Sequence, residues 1–389
     1  MFILMIKLAM LAFAVNIVLV PWGGTITRWS GYATILFSYF TPCMLFRTDF
    51  RMKLQGEKKA FFYLSVVLCS SVALSLAEGK IDTDLIRDIL AFFCMYWALS
   101  IEPQTYTKKD LMHLFIINQI LSLILIAYSL GPFPFKYTIT DEWGNTAFTL
   151  GMGNPNGTAL NIMFCIAMLV IDICYENKLL VKIIKLSMVA ILLYDVVLLA
   201  SRTVLACSLL IIAMIWLKRM PLKAWYADIA VIIPIVFIFF QIWIGDKEDV
   251  LVLGKTIASG RQNAYTRFLN EIMSNPLKYI WGAIGENRLE NAHNAPFAMV
   301  LNLGFLGAGA YVAFWRSLLK AGIRNNAGDT VRKVAIIVLI AYVVYSSTEA
   351  GPMLGMILYS TPLLVIGRLV KDEFVNVGTP PQMWKERTL

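Results

Sequence analysis

The sequence predicts an all-α polytopic membrane protein, a single domain over 1–389 with about twelve transmembrane helices. Three observations carry this. Hydrophobic residues make up 59% and charged residues 15% of the chain, where soluble domains average about 45–50% and about 25%. Mean hydropathy is +0.69. The apolar residues also collect in runs on the scale of the roughly 20 residues that a membrane-crossing helix needs. A chain this poor in polar residues cannot cover a soluble surface. That excludes a cytosolic globular enzyme, a disordered chain and a fibre.

The runs cover roughly 3–20, 27–46, 60–77, 87–101, 111–130, 158–175, 186–200, 203–217, 226–244, 296–315, 334–349 and 353–367. The first is a span and not a signal peptide. It lacks a basic leader, Lys7 interrupts it, and Pro21-Trp22-Gly23-Gly24 leads into a second run. The seventh and eighth runs are nearly continuous, so Ser201-Arg202 is read as a tight turn, with a single long helix through Arg202 as the competing count. Pro234 interrupts the ninth and predicts a kink. Between the ninth and tenth lies the longest polar segment, 245–295. Loops this long in a compact protein are usually functional. Its stretch Gly260 to Ser274 has helical spacing, with Tyr265, Phe268, Leu269 and Ile272 on one face. That predicts a short amphipathic helix lying on the membrane surface, started by Ser259-Gly260 and stopped by Asn275-Pro276. The polar tail 375–389 is expected to be flexible.

Charge orients the chain. The net +9 comes from 34 Lys+Arg against 25 Asp+Glu. In a soluble protein that could indicate nucleic acid. Here it reads as loop charge that fixes topology. With the N-terminus inside, the cytoplasmic loops, the tail and Lys7 hold 23 of the 34 Lys/Arg, and the outer side holds 11, six of them in 245–295. An odd span count would invert half of this pattern. Both termini are therefore placed in the cytoplasm and 245–295 outside. The six cysteines lie within or at the ends of apolar runs, and no CxxC or HExxH occurs. No disulfide framework, metal, cofactor or nucleic-acid partner is expected.

Charge buried in a bilayer is a functional hint by default, and little is present. Asp195 is the one clear mid-span acid, and Asp172 lies near a cytoplasmic end. Transport is therefore weakly supported. Polar residues instead collect outside. Arg202, Arg261, Arg267 and Arg288 sit where positive charge is otherwise avoided, and arginine grips phosphate through a planar, always-charged fork. Headgroup anchoring and salt bridges with Glu271, Glu286 and Glu290 are the competing roles. His293, in Asn291-Ala292-His293-Asn294, is an interfacial imidazole able to take a proton from a hydroxyl. Asn154-Pro155-Asn156-Gly157 reads as a turn or helix cap, or as amides presented to a sugar or phosphate. Glu349, at the outer end of the eleventh run, is a candidate second base or sugar-binding group.

Four of these segments follow one another as in bacterial O-antigen polymerases and O-antigen ligases. They are GNPNG before a span, SRT between two spans, SGR in the large outer loop, and HN before an apolar run ending Leu303-Gly304-Phe305-Leu306-Gly307. The sequence resembles that superfamily over about 140–310. The resemblance implies a GT-C-like, metal-independent glycosyltransferase without a cofactor in the bacterial cytoplasmic membrane, its active site facing the periplasm. Undecaprenyl-diphosphate-linked oligosaccharide would be the substrate. Membrane lipids, a chain-length regulator and a flippase are the implied partners. By this resemblance Arg202 and Arg261 bind the donor diphosphate, and His293 is the base or orients the acceptor. Arg267, Arg288, Asn154, Asn156, Asn294 and Glu286 are further substrate-binding candidates, and Glu286, Glu290 and Glu349 are alternative bases. Only 32 residues separate Arg261 from His293, which favours polymerase over ligase. A lipid-linked oligosaccharide flippase is the rival from another class.

Overall fold

Each of the twelve apolar runs overlaps a helix among the described residues. The computed structural model describes residues 2–40, 56–79, 83–131, 138–140, 146–152, 154–217, 219–245, 251–252, 255–256, 261–282, 292–325, 329–351, 353–354 and 357–375. Among these are thirteen α-helices: α1 (Phe2–Leu19), α2 (Gly24–Ile35), α3 (Gly56–Ala77), α4 (Thr83–Ser100), α5 (Lys108–Leu130), α6 (Pro155–Tyr175), α7 (Leu179–Leu198), α8 (Arg202–Leu217), α9 (Trp225–Gly245), α10 (Arg261–Ser274), α11 (Ala295–Arg324), α12 (Thr330–Tyr345) and α13 (Ile357–Lys371). Six of them, α1, α3, α5, α6, α9 and α11, are long and apolar enough to cross a membrane. The chain is an all-α protein of the membrane-embedded kind.

Helix α6 is the centre. It is apolar all round, and every residue from Gly157 to Ile173 is buried, as expected of a helix enclosed by others. Helices α5, α7, α8 and α12 pack around it. Its acid Asp172 is paired with Lys185 of α7 at 2.8 Å and accepts from Gln119 of α5 at 2.6 Å. Asp195, the mid-span acid, accepts a hydrogen bond from Ser129. Both acids thus tie helices together. The turn expected at Ser201-Arg202 is present: α7 ends at Leu198, Ala200 takes a positive φ of 51°, and α8 opens on Arg202.

One end of the bundle is laced by basic side chains. Arg368 of α13 is 1% exposed. It donates to the carbonyls of Ala98 (3.3 Å), Ile101 (2.8 Å) and Glu102 (3.0 Å) and pairs with Asp372. Lys371 donates to Leu99 O at 2.8 Å and pairs with Glu57 at 3.1 Å. Cations thereby meet the otherwise unsatisfied carbonyls that end α4. Next to them β1 (Thr105–Thr107) and a strand at Glu373–Val375 run parallel. Val375, placed in the flexible tail by sequence, belongs to that strand. Residues 376–389 lie outside the described residues.

The ion pairs follow the charge pattern. Lys7–Asp110, Lys58–Glu102, Arg332–Glu373 and Arg316–Asp228 join residues at or beside cytoplasmic loops of the sequence reading. Arg261–Glu349 and Lys278–Glu271 join residues assigned outside. Exposed tryptophans Trp22, Trp29, Trp216, Trp225 and Trp243 lie within two turns of helix ends, the position that aromatic belts favour in membrane proteins.

Two further expectations change. Residues 296–315 do not form one straight span. Helix α11 is broken at Gly304, whose φ of 69° and ψ of −176° are non-helical. Its first part, Ala295 to Leu303, is a separate half-helix. The amphipathic helix α10 does form within the expected bounds, but its apolar face does not meet lipid. Tyr265, Phe268 and Ile272 are buried, and Phe297 of α11 packs edge-on against Tyr265 (5.6 Å) and Phe268 (6.0 Å). Protein aromatics give that stripe a drier, better-fitting cover than a headgroup layer would.

Candidate functional site

Three chain segments converge on a carboxylate carried by a fourth. Helix α12 ends at Tyr345, and a turn over Ser346–Thr348 carries the chain to Glu349. Glu349 Oε1 accepts from Asn156 Nδ2 at 2.9 Å and from the Arg261 guanidinium at 3.1 Å. Its Oε2 lies 3.3 Å from His293 Nδ1. These partners come from the first turn of α6, the first residue of α10 and the residue pair before α11. Arg202, the first residue of α8, is half-buried and close enough to Arg261 for the two charges to repel.

Local structure explains each position. Asn154 caps α6, its Oδ1 accepting from the backbone N–H of Asn156 (2.9 Å) and Gly157 (3.2 Å). The cap fixes where Asn156 projects. Asn154 thus serves as a helix cap, one of the two roles foreseen for it. Asn294 is fully buried. Its Oδ1 caps α11 by accepting from Phe297 N at 3.0 Å, while its Nδ2 donates to Pro234 O (2.7 Å) and Ser347 O (3.3 Å). Asn294 thus joins α9, α11 and the turn before Glu349. Expected as a substrate ligand, it has both polar atoms engaged inside the protein. His293 has a φ of 52°, a left-handed conformation uncommon outside glycine though tolerated by histidine. Tyr265 OH holds it there by donating to its carbonyl at 3.2 Å.

The electrostatics match the geometry. Burial pushes the Glu349 carboxyl up, but the bond from His293, the Arg261 charge and Asn156 outweigh it and hold the group below the usual carboxylate range. Burial pushes the Tyr265 hydroxyl up to about 12, so it stays a donor. Glu349→Gln is expected to lower the unfolding temperature of the solubilised protein at neutral pH. A carboxyl whose pKa falls on folding adds stability above its unfolded value, about 4.3, and loses it as the pH drops through the folded one. The gap to wild type should therefore close in acid, and a gap that widened there would contradict the assignment.

Other expected residues stand apart. Arg267 is on the exposed face of α10, its guanidinium over the Phe268 ring at 4.5 Å. Glu271 accepts from Tyr279 and lies 3.8 Å from Lys278. Glu286, Arg288 and Glu290 lie outside the described residues. Tyr265 was legible only as one apolar residue of a stripe. Nothing in that spacing marks its hydroxyl as the strut under His293. Among the described residues no group of three or more metal-ligating side chains occurs.

The seat of Arg261 depends on the α10 packing. Phe268→Ala is expected to cost about 3–5 kcal/mol, the range for emptying a buried phenylalanine site. Hydrogen exchange should quicken across Arg261–Ser274 while α6 stays protected. Unchanged exchange in α10 would show that the Phe297 contact does not hold the helix.

Comparison with protein-family models, with curated proteins and with solved structures finds no match for this chain. Fold and site together define an all-α membrane-type protein with an Arg–Glu–His cluster gathered at one end of its helices.

Proposed function

We propose that the chain is a membrane glycosyltransferase that polymerises undecaprenyl-diphosphate-linked oligosaccharide units at the outer face of the bacterial cytoplasmic membrane. The observation that carries this reading is the meeting of Asn156, Arg261, His293 and Glu349, with Arg202 beside them. Three of these are the residues for which the resemblance to O-antigen polymerases implied roles. Two close guanidinium groups in a half-buried place suit a diphosphate, which brings more than one negative charge and many acceptor oxygens. A hydroxyl of the acceptor sugar attacks the anomeric carbon of the donor. His293 takes the proton. Arg202 and Arg261 stabilise the diphosphate as its charge grows on leaving.

Twelve spans in a GT-C-like arrangement, both termini cytoplasmic and the 245–295 loop periplasmic, complete the reading. The sorting of ion pairs by side and the tryptophans near helix ends support that topology. The test is purified protein mixed with synthetic undecaprenyl-diphosphate repeat units and no added metal. A ladder of longer lipid-linked glycans is expected. Transfer only to lipid A-core would make the protein a ligase, and movement of the unit across vesicles without elongation would make it a flippase.

A further inference from the structure

Glu349 stood in the sequence as a possible base, yet both of its oxygens are engaged. Oε1 serves Asn156 and Arg261, and Oε2 serves His293. Its side chain is 14% exposed, against 47% for His293. The histidine thus reaches toward solvent while the carboxylate stays behind it. An ionised carboxylate can only accept. The proton in the 3.3 Å contact must therefore sit on His293 Nδ1, which leaves the imidazole lone pair on Nε2. The backbone is fixed as well, by the left-handed φ of His293 and the Tyr265 bond to its carbonyl.

We propose that Glu349 is a positioning residue that holds His293 in its Nδ1–H form, so that Nε2 is the atom that takes the proton of the acceptor hydroxyl, and that ties this base to the donor-binding Arg261. This rests on the glycosyl-transfer reading above. In the step, the acceptor O–H proton passes to Nε2 as the oxygen bonds to the anomeric carbon. The bond from that carbon to the diphosphate oxygen breaks, and its electron pair leaves on the diphosphate. The imidazolium that results faces the Glu349 carboxylate, which stabilises it. One side chain thereby sets the distance between base and leaving-group clamp.

The chain has two histidines, so nitrogen-15-labelled histidine gives two imidazoles to observe. His113→Gln serves to assign the second. In wild-type protein the neutral His293 is expected in the Nδ1–H form, and Glu349→Gln should shift it toward Nε2–H. The same variant should lower kcat by about 10²-fold or more, the usual worth of a general base, with little change in donor KM. Glu349→Asp should recover part of the loss. An Nε2–H tautomer in the wild-type protein, or wild-type kcat in Glu349→Gln, overturns the proposal. The tautomer measurement needs no substrate. A wild-type protein that made no polymer would sink the glycosyl-transfer reading alone, while the spectrum still decided what Glu349 does to His293.

Discussion

Arg202→Ala is expected to abolish polymer while leaving the protein at wild-type levels in the membrane. Arg202 opens α8 directly after the turn at Ala200. The first turn of a helix carries unsatisfied N–H groups and the positive end of the helix dipole, which already favours an anion. The guanidinium adds a full charge to that place, and the neighbouring Arg261 adds a second. Two like charges near one another are costly without a counter-ion. Glu349 pairs with Arg261. A diphosphate offsets both, and most strongly when the sugar departs and the charge on the leaving oxygen grows. Removing a preorganised group of this kind costs about 10²–10³ in rate. Arg202→Lys should retain part of the activity, since it keeps charge and loses the bidentate fork. The readouts are glycan length on gels and protein level by immunoblot. Wild-type chain lengths in the alanine strain would refute the role.

Much of the fold was legible because burial in a membrane writes itself into local composition. Each apolar run overlaps a helix among the described residues, and Asn275-Pro276 marks the stop of α10 to the residue. The abrupt turn between α7 and α8 followed from two apolar runs with one arginine between them. The site was legible only in part. Arg202 and Arg261 stood out as positive charge on the side that the sequence reading places outside, and His293 as one of two histidines, next to an apolar run. Their convergence did not, because it rests on contacts across 88 residues for Arg261 and 56 for His293. No local pattern encodes which carboxylate closes such a contact. Periodicity told that α10 has an apolar face. It could not tell that Phe297, and not lipid, covers it. The same holds for Asn294, whose place beside a histidine suggests chemistry. Its partners Pro234 and Ser347 are 60 and 53 residues away, and they make it a joint.

Gly304→Ala is expected to prevent the protein from reaching its folded form, although glycine and alanine differ by one methyl group. Gly304 breaks α11 with φ 69° and ψ −176°. That region of backbone space is essentially reserved for glycine. Space forbids the methyl as well. A Cβ on Gly304 would lie 2.5 Å from Ile280 O and 2.6 Å from Gly282 N, both backbone atoms. A side-chain tip could swing aside, but backbone here cannot. Ser71 of α3 donates to Gly282 O at 3.0 Å, and Leu306 N donates to Ile280 O at 3.4 Å. The loop after α10 is thereby pinned into the break from both sides. The half-helix between the break and the site is short, nine residues or about 13 Å at 1.5 Å per residue. A shift at Gly304 would carry through it to His293 and would pull the loop that follows α10. Gly309→Ala, five residues on, meets nothing within 4 Å and should behave as wild type. The pair is compared by yield of monodisperse protein after solubilisation and by unfolding temperature. Equal yields and equal temperatures for the two variants would show that the break at Gly304 is dispensable to the fold.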